Sequence, residues 1–177
     1  MLTGPEKPEQ LTIDVNIARD YLDQKRRDHN YALKLFKLAR IGVVELATAP
    51  QGYRFDVNGV LAAQLTELFQ NEGVLELPQV SRLSDVTYPS ETLYPGRYSS
   101  HLPEAWDAII ADWRSHEGKS PKIEDRWHIE THIVAKRDTF ITNDRPLVTM
   151  CNRLREEHGI EIRAMSLREY LTTRPET

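Results

Sequence analysis

Residues 125–162 read DRWHIETHIVAKRDTFITNDRPLVTMCNRLREEHGIEI, and this run decides the fold class. Its periodicity predicts a helix over 125–137, with Ile129 and Ile133 one turn apart. Asp138 and an apolar strand, Thr139-Phe140-Ile141-Thr142, come next, and the polar pair Asn143-Asp144 ends it. Pro146 stands where a first helical turn tolerates it. Leu147, Met150, Cys151 and Leu154 share one face of that helix, Gly159 stops it, and Ile160-Glu161-Ile162 reads as another strand. Helix and strand alternate, which predicts an α/β domain with a central, mainly parallel sheet. Right-handed crossovers would place helices on both faces, a three-layer α/β/α arrangement.

The same alternation extends upstream. Leu11-Thr12-Ile13-Asp14-Val15 alternates like a short strand with Asp14 near its end, and a helical stretch runs from Asn16 through Tyr21 and Leu22. A second helix opens at His29 or Asn30, with Tyr31, Leu35, Leu38 and Ala39 on one face and Gly42 as its stop. Residues 43–48 form a second strand, and Pro50 and Gly52 mark the turn before Asp56. Leu61, Leu65, Leu68 and Phe69 give an amphipathic helix ending before Gly73. Val74-Leu75-Glu76-Leu77 is a short strand. Pro78, Pro89, Pro95 and Gly96 make the remainder up to residue 102 a long loop, after which Pro103 opens a helix with Trp106, Ile109, Ile110 and Trp113 on its buried stripe. Ser166 and Glu169 form a capping-box pattern for a last helix. The expected organisation is a disordered lead-in over 1–9, one domain over 10–171 with an insertion-like segment at 72–120, and a tail over 172–177.

Composition narrows the function classes. A chain of 177 residues is one ordinary domain, able to bury roughly 70% of its unfolded surface. With 28% charged residues, a mean hydropathy of −0.55 and no long apolar run, no membrane span is expected. The polar, proline-containing start reads as neither signal nor transit peptide. Cys151 is the sole cysteine, so an intramolecular disulfide and a cysteine zinc cage are excluded, and a reducing cytoplasmic setting is the simplest expectation. No phosphate-cradling glycine loop and no Gly-x-Ser-x-Gly elbow occurs.

Ligands of open parallel sheets collect beyond the carboxyl ends of the strands. Asp14 and Asp144 end strands, Asp56 follows the second strand, and Asp125 opens a helix. Four carboxylates at one sheet edge repel each other unless a cation lies between them. Mg²⁺ or Mn²⁺, hard ions that prefer oxygen ligands, would be the natural partner. The competing reading is that Asp14, Asp125 and Asp144 cap helices, and the two roles do not exclude each other.

The run from Asp125 to Thr142-Asn143-Asp144 resembles the C-terminal signature of PIN-domain nucleases, in which an acid opens a helix and an apolar strand about nineteen residues later ends in Thr-x-Asp. Here Asp125 and Asp144 lie nineteen positions apart. Thr12-Ile13-Asp14-Val15-Asn16 is similar to that family's opening strand. The resemblance implies a metal-dependent ribonuclease that leaves a 5′-phosphate. It assigns Asp14, Asp125 and Asp144 as metal-binding catalytic acids, with Asn16 and Thr142 as their supporting polar residues. The family's fourth acid is usually a glutamate in the helix after the second strand. This chain offers Asp56 there, or less suitably Glu45 within the strand. The segment 72–120 aligns poorly with compact members, and its Asp107 and Asp112, with Glu124 after it, read as solvated charges. Many relatives are toxins of toxin–antitoxin pairs, which implies a homodimer and an antitoxin-like protein partner.

Other features have their own readings. His128 and His132 stand at i and i+4, a zinc-compatible spacing, but Glu130 is misplaced for a zinc-protease motif. Arg19, Lys25, Arg26, Arg27 and Arg145 are candidate RNA contacts. Asp20, Asp23 and Asp28 could equally balance the basic stretch as a solvated face. The alternative to the nuclease is a catalytically inactive module that binds nucleic acid or protein. A metal-dependent phosphatase acting on small esters is a third possibility.

Overall fold

The computed structural model describes residues 7–49, 59–78 and 123–174. Within them the order is β1 (Glu9–Ile13), α1 (Val15–Leu22), α2 (His29–Arg40), β2 (Val44–Thr48), α3 (Gly59–Glu72), β3 (Leu75–Glu76), α4 (Ile123–Val134), β4 (Thr139–Ile141), α5 (Arg145–His158), β5 (Ala164–Met165) and α6 (Leu167–Thr172). The five strands form one all-parallel sheet in the order β3-β2-β1-β4-β5. The fold is therefore α/β, with helices flanking the sheet on both sides, as the alternation predicts.

Strand pleating sorts the two layers. Leu11, Ile13, Val44, Leu46 and Ile141 point to one face, where they pack with α1, α2, α3 and α6 around Leu35, Phe36 and Leu65. Phe140 and Ala164 point to the other, against Ile129 of α4 and Leu147, Cys151 and Leu154 of α5. The second face is also polar. Thr12 hydrogen-bonds His132 (2.9 Å), and Glu45 accepts from Arg137 (2.9 Å). Building leftward from β1 to β3 and then rightward from β1 to β4 and β5 demands helices on opposite faces if every crossover is right-handed.

Element boundaries depart from the sequence reading in instructive ways. The first strand ends at Ile13, one residue before Asp14, and Val15 already belongs to α1. It also begins at Glu9, which the expected lead-in had included. At the other end α6 runs through Thr172, and Arg174 pairs with Glu9, so the domain extends past residue 171. On α2 the fully buried positions are Ala32, Leu35 and Phe36, with Tyr31, Leu38 and Ala39 at the margin. α4 ends at Val134, short of 137, because Lys136 turns to a positive φ of 50° and sends Arg137 under the sheet to Glu45.

The largest shift is at the last strand, which is Ala164–Met165 and not Ile160–Ile162. After the left-handed Gly159 the Ile160 amide closes back on Leu154 (3.2 Å), and Ile160 and Ile162 serve as hydrophobic plugs beneath α5. Sheet pairing starts only when the Phe140 amide reaches Arg163 (2.8 Å). The turn at Pro50 and Gly52, Asp56, the loop from 79 and the Trp106–Trp113 helix lie outside the described residues.

Candidate functional site

The strand order reverses between β1 and β4, and at such a switch point connections leave a parallel sheet toward opposite layers, the place where open sheets form a ligand crevice at their carboxyl ends. Asp14 stands at the end of β1, and its amide continues the ladder to Ile141 (3.0 Å). Thr142, Asn143 and Asp144 stand at the end of the neighbouring β4. The sheet itself therefore brings Asp14 and the Thr142–Asp144 loop side by side.

Asp14 occupies the position before α1, yet its side chain makes no capping bond to that helix. The carboxylate turns instead to the loop after β4, 5% exposed. Its Oδ2 accepts from the Thr142 hydroxyl (2.8 Å) and the Asn16 amide (3.3 Å). Thr142 and Asn16 thus both hold the same oxygen of Asp14. His128 Nε2 lies 3.9 Å from Oδ1, beyond hydrogen-bond reach. Two neutral donors therefore hold one oxygen of this buried carboxylate, and the His128 imidazole stands nearest the other.

Asp144 does cap. Its Oδ1 accepts from the Leu147 amide at 3.4 Å, a long bond, while its own amide donates to the Thr142 hydroxyl (3.1 Å). Thr142 therefore links the two acids, donating to one and accepting from the backbone of the other. Asp125 is the third residue of α4, inside its first turn and half-buried, so it does not open the helix as its spacing implied. Asp56 lies outside the described residues. Glu45 lies on β2 paired with Gln10, toward the amino ends of the strands, and its carboxylate accepts from Arg137 (2.9 Å), so it is not at the Asp14 edge. Among the described residues no three His, Cys, Asp or Glu side chains gather closely enough to hold a metal ion.

No protein-family model matches the chain, and no curated protein matches its sequence.

The chemistry of the donors present bears on the implied Mg²⁺ or Mn²⁺. Asp14 has the oxygen chemistry a hard cation takes, with Oδ2 tethered by Thr142 and Asn16. Asp144 follows β4, the strand beside β1, and is joined to Asp14 through Thr142. Among the described residues these two carboxylates fall short of a three-residue group that would hold an ion. His132, by contrast, is engaged by Thr12 and packs 5.8 Å from the Phe140 ring, which gives it a structural task. Burial first and the Arg137 charge second push its pKa down to about 4, so it is neutral at physiological pH. Cys151 is fully buried in the α5 stripe, a core residue.

Sequence reasoning missed one site-adjacent cluster. Asn143 donates to Asp20 (2.9 Å) and Asp28 (3.3 Å), and its carbonyl oxygen accepts from the Leu167 amide (3.2 Å). Asp20 is also paired with Arg26, and Asp28 with Arg168 (2.6 Å). The available signal was an asparagine inside Thr-x-Asp, too short a polar pattern to name its distant partners.

Proposed function

We propose that the chain is a metal-dependent ribonuclease, with PIN-like architecture, acting at the β1–β4 crevice. One observation carries the reading. Asp14 declines the capping role open to it and is held, buried, by Thr142 and Asn16. The resemblance at 125–144 and 12–16 supports the choice of RNA as substrate. Asp14 and Asp144 would hold Mg²⁺ or Mn²⁺, with Asp125 and Asp56 as further candidates from that resemblance. When bound, such an ion supplies Lewis acidity and charge neutralisation at a phosphodiester. Thr142 and Asn16 fix one oxygen of Asp14 and so orient the other. The absence of a three-residue ligand group among the described residues favours, as second reading, a module that binds RNA or protein without turnover.

Cleavage of a labelled mixed-sequence RNA with Mn²⁺ or Mg²⁺ tests the choice, wild type beside Asp14→Ala and Asp144→Ala. The nuclease should cut only with metal and lose cutting in both variants. RNA binding without cutting, unchanged by EDTA, would favour the module. Turnover of small chromogenic esters with indifference to RNA would mark a phosphatase, and cutting that survives both substitutions would sink the site assignment.

A further inference from the structure

Charges on the α1–α2 unit divide into two populations. Between Arg19 and Lys37 the sequence mixes Arg19, Lys25, Arg26, Arg27, Lys34 and Lys37 with Asp20, Asp23 and Asp28. By sequence alone the acids could balance the face. In the structure two of them are turned inward. Asp20, 4% exposed, is used by Arg26 and the Asn143 amide, and Asp28 by the same amide and by Arg168 from α6. Asp23 accepts from the Lys25 amide at the turn (2.9 Å). Among the described residues Arg26 pairs with Asp20, and Arg40, at the end of α2, pairs with Glu72. Lys25, Arg27, Lys34 and Lys37 remain exposed and form no ion pair among the described residues.

The same Asn143 fastens this cationic surface to the acidic crevice, since it lies between Thr142 and Asp144. From Asp28, beside that junction, α2 carries Lys34 and Lys37 roughly 9 to 14 Å away at about 1.5 Å per residue. Tyr31, one turn before Lys34 and partly packed on the core, has its ring approached by Arg168 (5.0 Å) and Lys34 (6.0 Å). An acidic crevice alone repels a polyanion. A cationic stripe that begins at its rim can hold the chain while one phosphodiester enters. An aromatic interleaved with the cations suits unstacked bases better than a folded acidic protein.

We infer that Lys25, Arg27, Lys34 and Lys37 dock the phosphate backbone of single-stranded RNA, and that Asn143 fixes this surface relative to Asp14 and Asp144. The choice of RNA rests on the nuclease reading, but the docking is measurable without turnover.

The test is fluorescence anisotropy of a short labelled single-stranded RNA in EDTA across a salt series. Replacing all four residues by alanine should weaken binding at least about tenfold at low salt. It should also reduce the slope of log K against log salt by about 3, from roughly 0.7 for each phosphate released. Lys7→Ala with Lys136→Ala, on residues preceding β1 and β4 at the opposite sheet edge, should leave the slope unchanged. Equal slopes for wild type and the fourfold variant would overturn the inference. So would binding of poly-glutamate in place of RNA, which would indicate an acidic protein partner. Docking unchanged in the fourfold variant, with metal-dependent cutting by wild type, overturns the docking alone; docking lost in the fourfold variant, with no cutting by wild type in Mn²⁺, overturns the nuclease reading alone.

Discussion

Replacing Thr142 with valine removes one hydroxyl from a fully buried position and keeps the shape of the side chain. Two bonds go with it. The donation to Asp14 at 2.8 Å is charge-assisted and worth about 1.5–3 kcal/mol. The acceptance from the Asp144 amide at 3.1 Å is an ordinary bond worth about 1 kcal/mol on a half-buried residue that water can partly serve. Asp14 then keeps only the longer bond from Asn16 among neutral donors. The expected loss is about 3 kcal/mol, or a fall in Tm of roughly 6–12 °C for a domain of this size. Urea denaturation should show a lower midpoint at unchanged m. Thr142→Ser, which keeps the hydroxyl, should recover most of the loss. A valine variant within about 0.5 kcal/mol of wild type, or a serine variant as weak as valine, would refute the claim that this hydroxyl holds the Asp14 carboxylate.

Three other outcomes follow from the second layer. His132 is favoured neutral in the folded state, its pKa held at about 4 against an ordinary 6.5. Its contribution is therefore complete above pH 6.5 and lost as pH falls to 4, about 3 kcal/mol that His132→Gln should not lose; parallel pH–stability curves for the two proteins would contradict this. Arg137 reaches both the Glu45 side chain (2.9 Å) and its carbonyl (2.6 Å) from a buried position. Arg137→Ala should cost about 3 kcal/mol in urea unfolding and Glu45→Gln about 1, because only the first leaves two acceptors unserved; equal costs would count against that division. Burial pushes the Cys151 thiol well above the usual range, so a thiol reagent at pH 8 should label it only as the protein unfolds; fast labelling of the folded protein would place it elsewhere.

Much of this architecture was legible because hydrophobic period and punctuation agree. Leu147, Met150, Cys151 and Leu154, with Pro146 ahead and Gly159 behind, specify α5 residue by residue, and the Ser166–Glu169 capping box starts α6 where expected. The strand at 160–162 failed because two buried isoleucines with a glutamate between them satisfy a two-residue alternation without pairing to anything. Only β4's register, set by long-range contacts, moves the strand to Ala164. Asp125 failed as a helix opener because Ile123 and Glu124 already belong to the helix. The resemblance gave Thr142 a supporting role without naming the acid it would hold, and Asp14's refusal to cap α1 was not readable, since an Asp before a helix is locally indistinguishable from a cap. The inward turn of Asp20 and Asp28 depends on Asn143, more than a hundred residues away, and no local pattern carries it.

The most direct measurement is Mn²⁺ binding to the full chain by calorimetry or electron paramagnetic resonance, comparing wild type with Asp14→Asn. Asparagine keeps the shape and removes the charge. The proposed role of Asp14 predicts saturable binding by wild type and at least about tenfold weaker binding by the variant, a difference of about 1.4 kcal/mol, at comparable thermal stability. No saturable binding by wild type, or equal affinity in the two proteins, would contradict it.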